Sequence, residues 1–418
     1  MALFTTWGAV ISLVIAIVLI IWRVHPAYSL ILGALIGGIC GGGGLVTTVD
    51  TMISGAQGMM SSVLRILTSG VLAGALIKTG SAEKIAEVIV SRFGEKLAVF
   101  SLAFATMIIC AVGVFIDIAV ITVAPIALAI GQKSGYNKAS VLLAMTGGGK
   151  AGNIISPNPN TIATAEAFGV DLTGLMIKNI IPAIAALAVT VILAVYLSKK
   201  EAAPVTDGDI ERNTEKTLPG FLKAVSGPAL VIILLALRPL FGISVDPLIA
   251  LPAGGLVCIL ITSQGRNIVS YLEYGISKVL GVSILLIGTG TLAGIIKASN
   301  LQYDLISILN AGNMPTFLLA PLSGILMAGA TASTTAGATI ASQTFSQTLV
   351  NGGVAAISAA AMIHAGATVI DSLPHGSFFH ATGGAVNMKF KDRLKIVPFE
   401  ACVGLTSVVA AVIIYKIF

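Results

Sequence analysis

Gly147-Gly148-Gly149-Lys150-Ala151-Gly152-Asn153-Ile154-Ile155-Ser156-Pro157-Asn158-Pro159-Asn160-Thr161 interrupts an otherwise apolar stretch of the chain. A partial echo, Asp371-Ser372-Leu373-Pro374-His375-Gly376-Ser377, follows about 217 residues later. In a bilayer every backbone N–H and C=O needs an internal partner. A helix broken by Pro, Gly and Asn at membrane depth therefore persists only where it lines a protein-enclosed or wet cavity. Two such breaks in matching places of two halves predict a transporter's binding site.

The composition supports the membrane setting. Of 418 residues, 56% are hydrophobic and 10% charged, and the mean hydropathy is +0.99. Soluble domains carry roughly 25% charge. Apolar runs such as Ile11 to Trp22, Ile180 to Leu197, Ala229 to Leu240 and Val403 to Tyr415 reach, with their flanks, the ~20 residues that cross hydrocarbon. No small-residue cleavage site follows the first run, so it is expected to stay as a helix. The net charge of +6 sits in short loops between helices, which fits orientation in a membrane rather than a nucleic-acid partner. Cys40, Cys110, Cys258 and Cys402 lack metal-ligand spacing and read as core packing. Gly38 to Gly44 is followed by no Lys-Ser/Thr, so it reads as a close helix contact or a bend rather than a phosphate loop.

Internal similarity sets the expected architecture. Gly70-Val71-Leu72-Ala73-Gly74 with Lys78 resembles Gly290-Thr291-Leu292-Ala293-Gly294 with Lys297. At an offset of 217, Ala144-Met145 matches Ala361-Met362, Gly149 matches Gly366 and Pro157 matches Pro374. The shared order predicts a duplication. The expected fold is all-α and polytopic, with two inverted repeats, 1–198 and 218–418, joined by a polar cytoplasmic linker, 199–217. That linker carries Glu201, Asp207, Asp209, Glu211, Arg212 and Lys216. Each repeat has three spanning helices, a re-entrant hairpin (97–132, 316–350), a broken helix (139–169, 352–387) and a last spanning helix. In the first half the early spans are expected near 6–24, 27–46 and 53–79, and in the second near 219–239, 244–262 and 268–297, with a loop from there to the hairpin at 316. This topology puts 17 of the 24 Lys and Arg on one face, in loops around Arg23, 78–96, 132–138, 199–217, 263–278 and 388–395. The other face keeps Lys178, Arg238, Lys297 and Lys416. The positive-inside rule then places both termini outside the cytoplasm.

The run Asp117 to Ile130, the stretch Lys150 to Thr161, the helix after Asp171, and Asp371 to Phe379 followed by Lys389 to Val403 resemble the gluconate:proton symporter (gluconate permease) family. The similarity covers nearly the full length. It implies the ion transporter superfamily, whose known members look like elevator carriers with hairpins and broken helices facing one another, and it implies a bacterial inner membrane. Two copies as a homodimer are an accompanying expectation. The chain departs from the family at Ser156 to Thr161, where a proline-rich loop with a histidine is usual, and at Pro374-His375-Gly376, where an Asn-Asp-Ser type sequence is usual.

The chemistry of the breaks suggests an anion. The second half of each broken helix starts inside the membrane with free N–H groups and a positive dipole end. Asn160 and Thr161 are expected to cap the first of these. Lys150 either adds a positive charge to the site, snorkels to the surface or pairs with Asp117. Asn153, Ser156, Asn158, Asn160 and Thr161 suit the hydroxyls of a small polyol acid, or satisfy broken backbone. Ser333, Thr334 and Thr335 at the second hairpin tip, and Ser377, complete the substrate set. Asp117 is the only acid between Glu95 and Glu166 and sits at the first tip, so it is expected to couple an ion. Three of four histidines, His364, His375 and His380, lie within 17 residues, and His375 with Asp371 reads as a proton carrier. His364 joins this ion-coupling set or makes a structural bond, and His380 is expected at the interface. Arg65 is expected to meet a lipid headgroup or an acid in the bundle.

The function expected is import of a small hydroxy-carboxylate or sugar acid coupled to H+, with no metal and no other cofactor. Sodium coupling, an amino-acid cargo and an uncoupled facilitator stand as alternatives. A membrane-embedded enzyme is disfavoured, because Ser377 near His375 or His380 only imitates a nucleophile and base, and no nucleotide motif supports a primary pump.

Overall fold

The structure, a computed structural model, describes residues 3–94, 97–200, 202–209, 217–312 and 315–417. Glu201, Glu211, Arg212 and Lys216 of the expected linker lie outside these residues. Among the described residues the chain is all-helical, with only isolated bridges between Phe4 and Ser299 and between Asn137 and Pro204. The first part contains α1 (Thr6–Ile21), α2 (Pro26–Cys40), α3 (Gly44–Gln57), α4 (Met60–Lys78), α5 (Ser81–Phe93), α6 (Ala98–Ala111) and α7 (Ile116–Lys133). Next come α8 (Lys138–Asn153), α9 (Pro159–Phe168), α10 (Leu172–Lys178) and α11 (Ile180–Ser198). The later part contains α12 (Phe221–Phe241), α13 (Pro247–Ile261), α14 (Ile268–Lys297), α15 (Leu301–Ala311), α16 (Leu319–Thr331) and α17 (Thr334–Asn351). It ends with α18 (Ala356–Ala367), α19 (Ser377–Ala385), α20 (Phe390–Leu394) and α21 (Val397–Ile417).

Among the described residues six helices are long and apolar enough to cross a bilayer, Ile180–Ser198, Phe221–Phe241 and Gly265–Lys297 included. Large apolar side chains such as Leu222, Ile192 and Ile181 face outward from them, as lipid-facing surfaces require. Trp7 and Trp22 are exposed at the two ends of α1, about 22 Å apart at 1.5 Å per residue, the spacing of an interfacial aromatic pair. Cys40 and Cys402 are exposed and only Cys110 and Cys258 are buried, so core packing describes two of the four.

Glycine sets the helix crossings that build the interior. A Cβ on Gly148 or Gly152 would stand 2.0 or 2.1 Å from the carbonyl oxygens of Ala103 and Met107, so α8 lies directly on the backbone of α6. Gly324 and Gly366 make the same kind of contact between α16 and α18, against the carbonyls of Ile363 and Pro321. The 30-residue α14 is a central spine. It meets α4 where Gly70 faces Gly275, and α3 where Gly55 faces Gly290 and Gly294.

The segment 53–79 is not one helix. It breaks at Gly58 and Met59, and α5 and α15 occupy stretches expected to be loops. In α5, apolar Ile85, Ala86 and Val90 are buried while Glu83, Lys84 and Arg92 hold the polar side, so a short amphipathic helix forms where charge density alone suggests a loop. The glycines at the end of α2 and just beyond it do two jobs. Gly37 and Gly38 pack against Ser12 and Thr48, while Gly42 (φ +95°) and Gly44 (φ +65°) turn the chain.

The segment after α11 is tied to the base of α8. The Asn137 amide donates to the carbonyls of Leu197 and Lys200, and the Lys138 ammonium lies 2.6 Å from Asp209. Burial would push the Asp209 carboxyl up, but hydrogen bonds from Lys138 and from the hydroxyl and N–H of Thr206, with the Lys138 charge, hold it down at about 2. A carboxyl depressed on folding stabilises the fold above its unfolded value of about 3.9 and loses that contribution as pH falls toward 2. After solvent screening the effect is about 1 kcal/mol. The expected result is a wild-type thermal midpoint above that of Asp209→Asn at pH 6, with the two curves converging between pH 4 and pH 2. A constant gap down to pH 2 would remove Asp209 from the acid response.

Candidate functional site

Two interrupted helices and two helix-to-helix tips meet near the centre of the molecule. Between α8 and α9 the chain runs irregularly through Ile154 to Asn158. The cap of α9 is Asn158, rather than Asn160 or Thr161 as expected. Its Oδ1 accepts from the N–H groups of Asn160 (2.9 Å) and Thr161 (3.1 Å), and its Nδ2 donates to the Asn153 carbonyl (2.9 Å). The cap sits one position before Pro159, where an extended backbone and a free side-chain oxygen are both available. The first N–H groups of α9 are thus already used. By contrast α19 begins after Gly376, which offers no side-chain cap, and its first residues Ser377 and Phe378 border an open cavity.

Gly376 is required by a close approach: a Cβ there would stand 2.4 Å from the Ala332 carbonyl oxygen. Ala332 itself has φ +46°, a left-handed conformation that costs a non-glycine residue roughly 1–2 kcal/mol, and it turns the chain from α16 into α17. The tip between α6 and α7 turns at Gly113 (φ +107°).

Asp371 is the electrostatic centre. One of its carboxylate oxygens is 2.5 Å from the Lys150 ammonium and accepts from Ser372 at 3.0 Å, and the other accepts from the Thr334 hydroxyl at 2.5 Å. Lys150 also donates to the Thr368 carbonyl. Both charged residues are at most 2% exposed. Lys150 therefore neither snorkels nor pairs with Asp117. A second buried pair stands nearby in sequence: Arg393 reaches both oxygens of Glu400, at 2.8 and 3.1 Å, and stacks on Phe379.

A cavity of about 270 Å³ is bordered by Asp117, Asn153, Asn160, Lys278, Ser333, Thr334, Thr335, Asp371 and Ser377. Asn153 Nδ2 and Asn160 Oδ1 are buried and have no hydrogen-bond partner among the described residues, leaving a donor and an acceptor at the cavity. Ser333 spends its hydroxyl on the Ala336 N–H at the start of α17. Asp117 lies by the N–H groups at the start of α7, makes no salt bridge among the described residues, and faces the Lys278 charge across the cavity. Lys278 leans over the Tyr274 ring at 4.9 Å and likewise has no ion-pair partner among them.

Other singled-out residues lie elsewhere. Asn158 and Thr161 form the cap of α9, and the buried Ser156 hydroxyl has no partner among the described residues. His375 is exposed with its ring 3.3 Å from the Ala330 carbonyl oxygen, and no hydrogen bond joins it to Asp371 among the described residues. His380 is exposed against the Pro374 carbonyl. His364 is fully buried in α18, and neither ring nitrogen is partnered among the described residues. Arg65 meets acids in the bundle, Glu166 and Asp246. Lys278 was missed because it was counted with the charges of the 263–278 loop, although the span expected near 268–297 matches α14 and already contains it, about 15 Å along the helix.

Comparison with known proteins agrees with this architecture. A transporter from Haemophilus influenzae described as uncharacterized is 53% identical over 411 residues, covering 98% of each chain. The D-serine transporter DsdX of Escherichia coli is 21% identical over 78% of this chain and 79% of its own. A gluconate permease of Pseudomonas aeruginosa is 23% identical over 55% and 53%. Among solved structures the YdaH transporter of Alcanivorax borkumensis, reported to have an unusual topology, superposes with a TM-score of 0.67 at 17% identity, covering 89% of this chain and 87% of that one. That likeness shows a shared fold. The whole chain, residues 1–418, matches the GntP family permeases, so it is a multi-pass membrane transport protein of that family and not an enzyme.

Proposed function

We propose that the protein is a secondary active symporter that carries a small hydroxy-carboxylate, with gluconate or a related sugar acid as cargo and H+ as the coupling ion. The observation that carries this reading is one cavity that combines the Lys278 ammonium, which makes no salt bridge among the described residues, the uncapped start of α19 and the free amide atoms of Asn153 and Asn160. A cation and open N–H groups suit a carboxylate, and the amides suit hydroxyls. Relatives named as gluconate permeases and a D-serine transporter support a carboxylate-bearing cargo. Asp117, unpaired on the same cavity, is the assigned proton carrier. His375, exposed and away from that cavity, is the weaker candidate.

The reading includes two inverted repeats and elevator-type alternating access in the inner membrane of a bacterium, with both termini outside the cytoplasm. Support comes from spacing. Helices α17, α18, α19 and α20 each begin 218 residues after α7, α8, α9 and α10. At that spacing Gly148 over Ala103 corresponds to Gly366 over Pro321, the same backbone contact in each half. The offset of 217 drawn from residue identities is short by one, because Gly and Ala matches are abundant enough to align out of register. Asn153 then corresponds to Asp371, and the capping Asn158 to the non-capping Gly376, so the halves differ most where they meet the cavity.

Uptake of radiolabelled gluconate into proteoliposomes tests the proposal. A pH gradient is expected to drive accumulation, and Asp117→Asn is expected to keep exchange but lose gradient-driven accumulation more than about tenfold. Lys278→Gln should raise KM about tenfold, the loss of one charge-assisted contact of roughly 1.4 kcal/mol. Accumulation driven by sodium alone would replace the proton, and flux indifferent to both gradients would sink symport.

A further inference from the structure

A second cavity, about 470 Å³, is lined by Ser54 of α3, Glu166 of α9, Lys297 of α14 and Gln343 of α17. It touches the same three helices as the cavity described above, at a different height. On α9 the two are reached by Asn160 and Glu166, on α17 by Thr335 and Gln343, on α14 by Leu285 and Ala293. At 1.5 Å per residue these steps are about 9, 12 and 12 Å. Three helices thus agree on a layer roughly 10 Å thick between the cavities. The layer is filled by Thr164 and Ser342, whose hydroxyls meet at 3.4 Å, and by Thr339, Leu286 and Thr289, all fully buried. Lys278 and Lys297 are about 28 Å apart along α14, close to the ~30 Å of a hydrocarbon core, so the cavities open toward opposite faces.

The second cavity also contains a built polar site. Gln343 is 1% exposed, and neither its Nε2 nor its Oε1 has a partner among the described residues. A buried amide left unsatisfied is costly, so it is poised for a ligand or for water. Lys297 makes no ion pair among the described residues, and Glu166 is drawn to Arg65, which it shares with Asp246.

We propose that this second cavity is the vestibule of the opposite membrane face, and that Lys297 and Gln343 hold the carboxylate cargo there before or after its transfer from the first cavity. The cargo class rests on the carrier reading above; the two-sided geometry and the anion-attracting charge do not.

Cysteine labelling tests it without knowledge of the cargo. In full-length protein with Cys40→Ser and Cys402→Ser, reporters Gln343→Cys and, on the other wall, Ser54→Cys are compared with Thr335→Cys in oriented vesicles. The probes are membrane-impermeant methanethiosulfonates of either charge. Gln343→Cys and Ser54→Cys are expected to react from one face only and Thr335→Cys from the other. The ratio of anionic to cationic reagent rates at both second-cavity reporters is expected to fall about tenfold on Lys297→Gln, with the ratio at Thr335→Cys unchanged. Labelling of all three from one face, or ratios indifferent to Lys297, would overturn the inference. Absence of gluconate and D-serine uptake by wild-type vesicles would count against the carrier reading alone, because the labelling pattern needs no cargo.

Discussion

Lys150→Met is expected to abolish uptake and to destabilise the fold by about 3–5 kcal/mol. Met nearly matches the Lys side chain in length, so packing is kept while the charge is removed. What remains is the Asp371 carboxylate, 2% exposed, with only the Thr334 and Ser372 hydroxyls to satisfy it. An uncompensated buried charge is far more costly than no charge at all. The double variant Lys150→Met/Asp371→Leu is therefore expected to recover most of the lost stability, because two apolar groups can replace a buried ion pair at little cost. Transport should stay lost, since the Thr334 end of α17 is no longer fixed against the second break. Thermal unfolding in detergent, paired with vesicle uptake, separates the two effects. A single variant with a wild-type midpoint would show that the pair does not hold the site together.

Gly148→Ala is expected to prevent assembly of the core, with a loss above about 3 kcal/mol, despite adding one methyl group. That methyl would stand 2.0 Å from the Ala103 carbonyl oxygen and under 3 Å from two more atoms of the same backbone. A side chain could rotate away, but a helix backbone cannot without moving α6 as a body. Gly366→Ala should behave alike against Pro321. Gly384→Ala serves as the control: nothing lies within 4 Å of its Cβ position, and in the last turn of α19 the added methyl is expected to leave stability nearly unchanged. Monodisperse yield after solubilisation is the measurement, and a well-behaved Gly148→Ala protein would contradict the crossing.

The all-helical membrane class is legible from hydropathy alone, because lipid leaves the backbone almost no other way to satisfy itself. The family is legible from a few stretches such as Lys150 to Thr161, where Pro, Gly and Asn sit at a depth that ordinarily excludes them. Pairings are a different matter. Lys150 finds Asp371 across 221 residues and Arg65 finds Asp246 across 181, and no local pattern says which acid a buried cation will meet. The cap of α9 could be misplaced by two residues because Asn158, Asn160 and Thr161 are all good capping types, and only the backbone geometry at Pro159 selects among them. Lys278 was hidden by counting it as a loop charge although it lies inside the span expected near 268–297. The break at Gly58 left no trace, since one glycine in a helical pattern is tolerated.

The ion pairs form a graded series with a mechanical meaning. Lys150–Asp371 and Arg393–Glu400 are sealed from solvent, whereas Arg65–Glu166 and Arg238–Asp171, which fasten α9 and the start of α10 to α4 and α12, are a quarter to a half exposed. Parting a sealed pair costs several kcal/mol, while parting a wet one costs about 1 kcal/mol or less. Under load the wet fastenings give way first, and Arg65 keeps a counter-charge in Asp246 even when it releases Glu166. The sealed pairs thus act as rivets and the wet ones as press-studs, and under the alternating-access proposal the wet ones are where one state would be unfastened from another at a cost within thermal reach.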